Sequence, residues 1–231
     1  DNIPANMSII TYWEGPKPLL IKALHQLMEL HSAPHSGEKE RQGFICIKKD
    51  EFLANKSGYY SDYFSNLSPA AQADIVRVEY IYENGGIWLD SDTLVMRSLQ
   101  PLTNLLSIKR GFFVTSLGKK GTKLCNGVFG SKSHTKLLEE WQDMIDYFIT
   151  NKEQPSHGDF GFRCLGRLIA HQEEHFEDYV IFNGQKTMFP VAWFESEEIF
   201  LKGSSIPSPK IEREFQPLII LVNKVYTNYK R

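Results

Sequence analysis

Tyr82-Glu-Asn-Gly-Gly-Ile-Trp-Leu-Asp-Ser-Asp-Thr-Leu94, "YENGGIWLDSDTL", passes from a helical pattern through two glycines into a short strand and ends on two carboxylates one residue apart. Ile87 and Leu89 alternate with Trp88 and Asp90, so the strand is expected to be half buried until its last residue turns polar at the rim of a sheet. In open α/β sheets the ligand crevice lies at the carboxyl ends of the strands. Asp90 and Asp92 are therefore placed to face one cavity. A hard divalent cation takes carboxylate oxygens of this kind and keeps positions free for phosphate oxygens. Asp-x-Asp alone recurs freely by chance, so its surroundings carry the argument.

Upstream, Ser68-Pro69 is a helix start, with the hydroxyl at the N-cap and proline at the first helical position, and Asn84-Gly85 is a matching stop. The spacing predicts one helix of about four turns between them. Asp74 and Arg77, three residues apart, share a face of it. Only Asn84-Gly85-Gly86 separates helix from strand, which brings the two charged pairs near one another. An exposed Asp–Arg surface pair is the plain alternative.

Further out, "MSIITYW" reads as a strand running into the loop "EGPKP", and Leu20, Ala23, Leu24, Leu27 and Met28 recur at helical intervals. "GFICIKK" reads as a second strand, so the chain opens β-α-β, the usual start of an α/β fold with a largely parallel sheet flanked by helices. After "RGFFVTS" and the basic loop "LGKKGTK", the stretch "LCNGVFGS" reads as a pair of strands around a turn. His134 to Thr150 carries the apolar stripe of an amphipathic helix, and "GDFGFRCLGRLIAHQEEHF" reads as another helix. "YVIFN" and "QPLIILV" read as strands, with "SSIPSP" as a loop between them.

The 231 residues, 42% hydrophobic and 23% charged, suffice for one large domain. A formal net charge of -2 provides no positive field for nucleic acid or an anionic membrane, so an anionic ligand must be met locally. Cys46, Cys125 and Cys164 show neither a disulfide framework nor a zinc spacing and read as buried thiols. The stretch has no apolar run of membrane-spanning length, and "DNIPANMSII" lacks a secretory leader profile. We expect a cytoplasmic or membrane-peripheral protein, with the secretory-pathway lumen as the alternative; sequons at Asn6, Asn55 and Asn66 are too common to choose between them.

"AQADIVRVEYIYENGGIWLDSDTL" resembles the signature of glycosyltransferases with a GT-A (Rossmann-like) nucleotide-sugar-binding fold, the group that includes capsular polysaccharide synthesis proteins, fungal α-mannosyltransferases and glucosylating bacterial toxins. "IITYWEGPKP" resembles their N-terminal strand. The two segments make up about a seventh of the chain, and order and length agree loosely to about Lys152. The resemblance implies a single domain over 1–231, with a nucleotide-sugar-binding half over 1–105 and an acceptor-side half over 106–231. It implies a UDP- or GDP-sugar donor, a glycan or other hydroxyl acceptor, a Mn²⁺ or Mg²⁺ cofactor and retention at the anomeric carbon.

Carried onto these residues, the resemblance puts Trp13 against the nucleotide base, with Tyr12 and Ser91 beside the nucleotide. Asp74 would bind ribose or sugar hydroxyls, Arg77 the sugar or diphosphate, Asp90 the ribose and donor sugar, and Asp92 the metal directly. Asp90, Asp92 and Arg77 form the catalytic set, with Asp90 and Asp92 at the metal. Similar enzymes often have an Asn at the place of Asn126, beside the donor sugar. They often complete the metal site with a His or Asn next to a Trp near the C-terminus. No "HxxxxSW"-like segment occurs here, and "LIILVNKVYTNYKR" offers Asn223 and Asn228. Water and diphosphate, residues outside this chain, or a role in binding without turnover would each account for that.

His157 and Asp159 in "PSHGDFG" stand where a loop meets a helix and are candidates for touching the acceptor, with helix capping the alternative for Asp159. "KKGTK" at Lys119 to Lys123 and the acidic "ESEE" at Glu195 to Glu198 read as solvated segments. A phosphohydrolase with Asp90 as nucleophile and Asp92 as acid is the rival chemistry. That motif wants Thr or Val two residues beyond the second Asp, where this chain has Leu94. A non-catalytic module that binds sugar nucleotides or glycans is the third reading.

Overall fold

Strand β1, Ile9–Tyr12, is buried at all four residues in a computed structural model that describes residues 7–32, 43–108, 111–117, 123–171, 179–183 and 219–221. Helix α1, Leu19–Ser32, follows and returns the chain to β2, Phe44–Ile47, which pairs parallel with β1. Two short helices come next, α2 (Lys49–Leu53) and α3 (Gly58–Ser65). They have no continuous apolar stripe, so periodicity alone does not announce them. The signal that was available is Ser57, whose hydroxyl accepts the Tyr60 N–H at 3.2 Å as an N-cap.

Helix α4 spans Pro69–Asn84 as the sequence predicts, with the Ser68 hydroxyl accepting the Ala71 N–H at 3.3 Å. Ile75, Val76, Val78 and Ile81 are all fully buried, so this helix is enclosed rather than half-exposed. Gly85 ends it with a φ of 67°, and its N–H donates to Ile81 O at 2.8 Å. Strand β3, Gly86–Leu89, starts at once; a Cβ on Gly86 would stand 2.7 Å from Ser8 O, so only glycine lets β3 lie this close to the start of β1.

β4 (Thr93–Val95), α5 (Gln100–Ile108), β5 (Phe112–Leu117), β6 (Lys123–Ser131), α6 (Lys136–Asn151), α7 (Phe162–His171), β7 (Tyr179–Asn183) and β8 (Ile219–Leu221) complete the described elements. The main sheet has six strands in the order β2-β1-β3-β6-β5-β7. β2, β1 and β3 are parallel, β6 runs antiparallel to both β3 and β5, and β5 is parallel to β7. The expected parallel sheet therefore holds for the first half, while the whole is mixed. The connection from β5 to β6 is too short for a crossover, so these strands must be antiparallel neighbours. β4 and β8 form a separate antiparallel pair, so "DSDTL" enters a second ladder instead of simply leaving the sheet.

Two expectations are corrected here. β3 is buried at all four residues and not half-buried, because Trp88 packs into the layer of α4 and α6 while Ile87 and Leu89 pack into the opposite layer with Leu102 and Phe113. "LCNGVFGS" lies within one strand, β6, not in a pair of strands. Its turn signal, Asn126-Gly127, marks an irregularity in the ladder. Val114 faces Phe129, but Thr115 faces Cys125, which leaves Asn126, Gly127 and Val128 outside the β5–β6 register. Cys125 and Cys164 are buried free thiols as expected, and Cys46 is half-buried.

Candidate active site

The carboxyl end of β3 meets the register shift of β6. Asp90 N donates to Gly127 O at 2.8 Å, so the shift presents Asn126 beside the first carboxylate of the motif. Trp88 and Asp90 lie on one face of the strand line, and the indole N–H donates to Asp90 Oδ1 at 2.9 Å. A Cβ on Gly127 would stand 2.5 Å from Asp90 Oδ2, so the bare backbone there makes room for the carboxylate.

Helix α4 delivers the other half. One terminal nitrogen of Arg77 lies 3.2 Å from Asp74 Oδ1 and 3.1 Å from Asp90 Oδ1; the other donates to Asn126 O. Its Nε donates to Ala73 O at 3.2 Å, and the guanidinium carbon stands 4.9 Å from the centre of the Trp88 ring. The Asn126 amide donates to Asp74 Oδ1 at 2.7 Å. Arg77 is thus a buried clamp between two carboxylates, the Asn126 carbonyl at the register shift within β6, and an indole face. Burial pushes the Asp74 carboxyl above its usual range; Arg77 opposes that, Asp90 adds to it, and the Asn126 amide opposes it again.

These four residues line one side of a cavity of about 390 Å³. Ser68 at the start of α4 and His157, Phe160 and Phe162 from the approach to α7 line the rest. Gly161 lies against Asp74 and Asn126: a Cβ there would stand 2.8 Å from Asp74 Oδ2 and overlap the Asn126 amide nitrogen. With two carboxylates against one guanidinium, an amide and aromatic walls, the cavity suits a neutral polyhydroxylated ligand better than a phosphate.

Asp92 occupies the turn after β3, half-buried, where Thr93 N donates to Asp90 O at 3.0 Å. Asp90 lines the 390 Å³ cavity, while Asp92 is not among its described lining residues. Ser91, between them, turns inward; its hydroxyl donates to Tyr12 O at 2.8 Å and lies 2.9 Å from Thr11 Oγ1, tying the motif to the end of β1. Tyr12 is buried, and its hydroxyl donates to Gln72 Oε1 on α4 at 3.1 Å. Its ring belongs to the core.

Trp13 lines a second cavity of about 420 Å³, with Lys17, Lys48, Lys49 and Asp50 on its walls. The indole is half-buried, packs on Ile21 and Leu24 and meets His25 edge-on at 6.5 Å between centroids. His157 reaches the first cavity, but Asp159 is used locally: its carboxylate accepts the Ser156 N–H at 2.7 Å and lies 3.6 Å from Arg163. Among the described residues no group of three or more His, Cys, Asp and Glu side chains is placed to hold a metal. Asp90 and Asp92 are two hard oxygen donors, which fits a divalent cation that takes its remaining ligands from diphosphate and water. Asn223, Asn228, "ESEE" and most of "KKGTK" lie outside the described residues.

Sequence reasoning missed Trp88, Gly161 and the Lys48-Lys49-Asp50 run. For Trp88 a signal existed, because residues two apart on a strand share a face. For Gly161 there was none, since the neighbours that forbid a side chain come from distant segments.

Residues 22–109 match the family described as glycosyltransferase sugar-binding region containing DXD motif. Over 120 residues the chain is 27% identical to mannosyl phosphorylinositol ceramide synthase CSH1 of Saccharomyces cerevisiae, a match covering 46% of this chain and 32% of that relative. The chain therefore spans about a third of the length of that curated relative. Among solved structures, the PaToxG glycosyltransferase is similar, with 14% identity, a TM-score of 0.52 and coverage of 74% of this chain and 70% of that one. The GlyE glycosyltransferase of Streptococcus pneumoniae TIGR4 has 15% identity, a TM-score of 0.51 and coverage of 96% and 60%. Mouse xyloside xylosyltransferase 1 has 10% identity, a TM-score of 0.53 and coverage of 95% and 98%. At these identities the likeness shows the fold, and the GT-A architecture expected from the sequence is borne out. The resemblance to DXD glycosyltransferases is borne out too. Asp74, Arg77, Asp90 and Asp92 fall inside the matched region; Trp13, Asn126 and His157 come to the two cavities from outside it.

Proposed function

We propose that the chain moves a sugar from a nucleoside diphosphate to a hydroxyl acceptor, with the help of a divalent cation. The observation that carries this reading is a pair of chemically distinct cavities on the rim carrying the Asp-x-Asp turn. One holds an indole and three lysines, which suit a base and phosphates. The other holds Asp74, Asn126, Arg77 and Asp90, which suit sugar hydroxyls. Ser91 ties the turn between them to the end of β1.

In this reading Asp92, with Asp90, holds the cation, which supplies positive charge to the diphosphate. Asp74 and Asn126 orient the donor sugar through its hydroxyls. Arg77 fixes both carboxylates and adds a buried positive charge behind the anomeric centre. The bond from the anomeric carbon to phosphate oxygen breaks with its electron pair leaving on the diphosphate. The acceptor oxygen bonds to that carbon from the same face, and its proton passes to the departing phosphate. His157, an exposed residue of the cavity lining, is the side chain we assign to the acceptor.

A phosphohydrolase with Asp90 as nucleophile is disfavoured, because Asp90 Oδ1 already accepts from Trp88 and pairs with Arg77. Incubation with a panel of UDP- and GDP-sugars and Mn²⁺ tests the proposal. Release of nucleoside diphosphate with transfer or hydrolysis of the sugar supports it. Phosphate release from simple monoesters, or binding of sugar nucleotides with no turnover, rejects it. No helix among the described residues is long and apolar enough to cross a membrane.

A further inference from the structure

We propose that the cavity beside Trp13 selects a guanine nucleotide over a uracil nucleotide, with the Asp50 carboxylate as the group that reads the base. This rests on the nucleotide-sugar reading above and concerns which donor the same site takes.

Trp13 and Leu53 give the cavity an apolar wall, and its polar rim carries both signs. The charges are not equivalent. Glu14 lies 3.6 Å from Lys49, and Lys48 lies 3.6 Å from Glu51. Asp50, exposed at the start of α2, is one of the lining residues, and its carboxylate has neither hydrogen bond nor ion pair among the described residues. An unpaired carboxylate on such a rim offers two acceptor oxygens side by side and no donor.

Each base presents a different edge to such a group. Guanine presents N1–H and the 2-amino group side by side, so a carboxylate takes both in a bidentate, charge-assisted pair. Its O6, next along that edge, is an acceptor, and Lys49, next to Asp50 in the chain, is a donor. Uracil presents a single N–H flanked by two carbonyl oxygens. One hydrogen bond can form there, while the second carboxylate oxygen is forced against a carbonyl. Adenine and cytosine present an acceptor nitrogen beside their amino group, which meets the same repulsion. The rim therefore discriminates by penalising wrong edges as well as by pairing with the right one.

Calorimetric titration of the full chain with GDP, IDP and UDP in the presence of Mn²⁺ tests this. IDP keeps N1–H and O6 but lacks the 2-amino group. GDP is expected to bind tighter than UDP by about tenfold or more, the loss that accompanies one hydrogen bond to a charged group. IDP is expected to bind several-fold more weakly than GDP, and Asp50→Asn to erase the preference for GDP over IDP. UDP binding as tightly as GDP, or a GDP preference that survives Asp50→Asn, overturns the assignment and leaves the glycosyltransferase reading standing. No binding of any of the three nucleotides overturns that reading, and this inference with it.

Discussion

Arg77 on α4 reaches across to within 3.1 Å of Asp90 at the end of β3, with its guanidinium over the indole that also holds Asp90. A helix side chain and two groups of one strand line are thereby held in mutual contact. Arg77→Met should leave Asp74 and Asp90 without their shared cation. Removing one partner of a buried ion pair costs about 3–5 kcal/mol, so the melting temperature should fall clearly and donor turnover should be lost. Thermal melts and turnover assays of the variant give both readings, and a variant that melts and turns over like the parent contradicts the clamp.

Asp92 is half-buried and sits in the turn after β3. Asp92→Asn should therefore leave the melting temperature near its original value. Metal-dependent turnover of the donor should disappear, because a neutral amide is a poor replacement for a hard anionic ligand. Titration of Mn²⁺ against residual activity separates the two effects.

Trp13 both lines the lysine-rimmed cavity and packs on Ile21 and Leu24. Trp13→Ala should weaken nucleoside diphosphate binding by about 1–3 kcal/mol, the range for loss of a stacked aromatic. It should also lower stability, since part of the indole is core. Trp13→Phe should restore most of the packing and part of the binding. Calorimetry and melts on the pair check this.

Gly161→Ala would bring a methyl group to 2.8 Å from Asp74 Oδ2 and into the Asn126 amide. Overpacking of this kind costs about 1–3 kcal/mol. The expected signature is a raised KM for the sugar nucleotide with little change in affinity for the bare nucleoside diphosphate, because the damage falls on the sugar cavity alone.

His25 is buried under Trp13 and Phe44, and both ring nitrogens lack a hydrogen-bond partner among the described residues. Burial, with Lys17 adding to it, lowers its pKa from 6.5 to about 4. A base whose folded pKa is depressed contributes stability that is present above its unfolded value and lost as pH falls towards the folded one. Between pH 6.5 and about 4 the protein should therefore lose about 1.4 kcal/mol per pH unit through this group. His25→Leu should flatten that part of the acid limb in melts at a series of pH values.

The elements nearest the Asp-x-Asp were legible before any coordinates, because their signals are local. Ser68-Pro69 and Gly85 bound α4 by capping chemistry, and Asp74 and Arg77 share a face by helical geometry alone. The meeting of that pair with Asp90 followed from a connection of only a few residues. Trp88 and Asp90 were legible in principle, as neighbours on one strand face.

Long-range pairing was not legible. The mixed sheet depends on β6 entering between β3 and β5, and the burial of β3 on both faces depends on helices packed from each side. Asn126 owes its place to a register shift against β5; the Asn126-Gly127 signal marks the spot, but the shift itself depends on the pairing with β5. His157 and Asp50 line their cavities, and Gly161 lies against Asp74 and Asn126, because segments far apart in the chain fold against one another. Caps, periodicity and short connections act between residues a few positions apart and can be read from order alone. Cavities are made by contacts between distant segments, and only the packed chain brings those together.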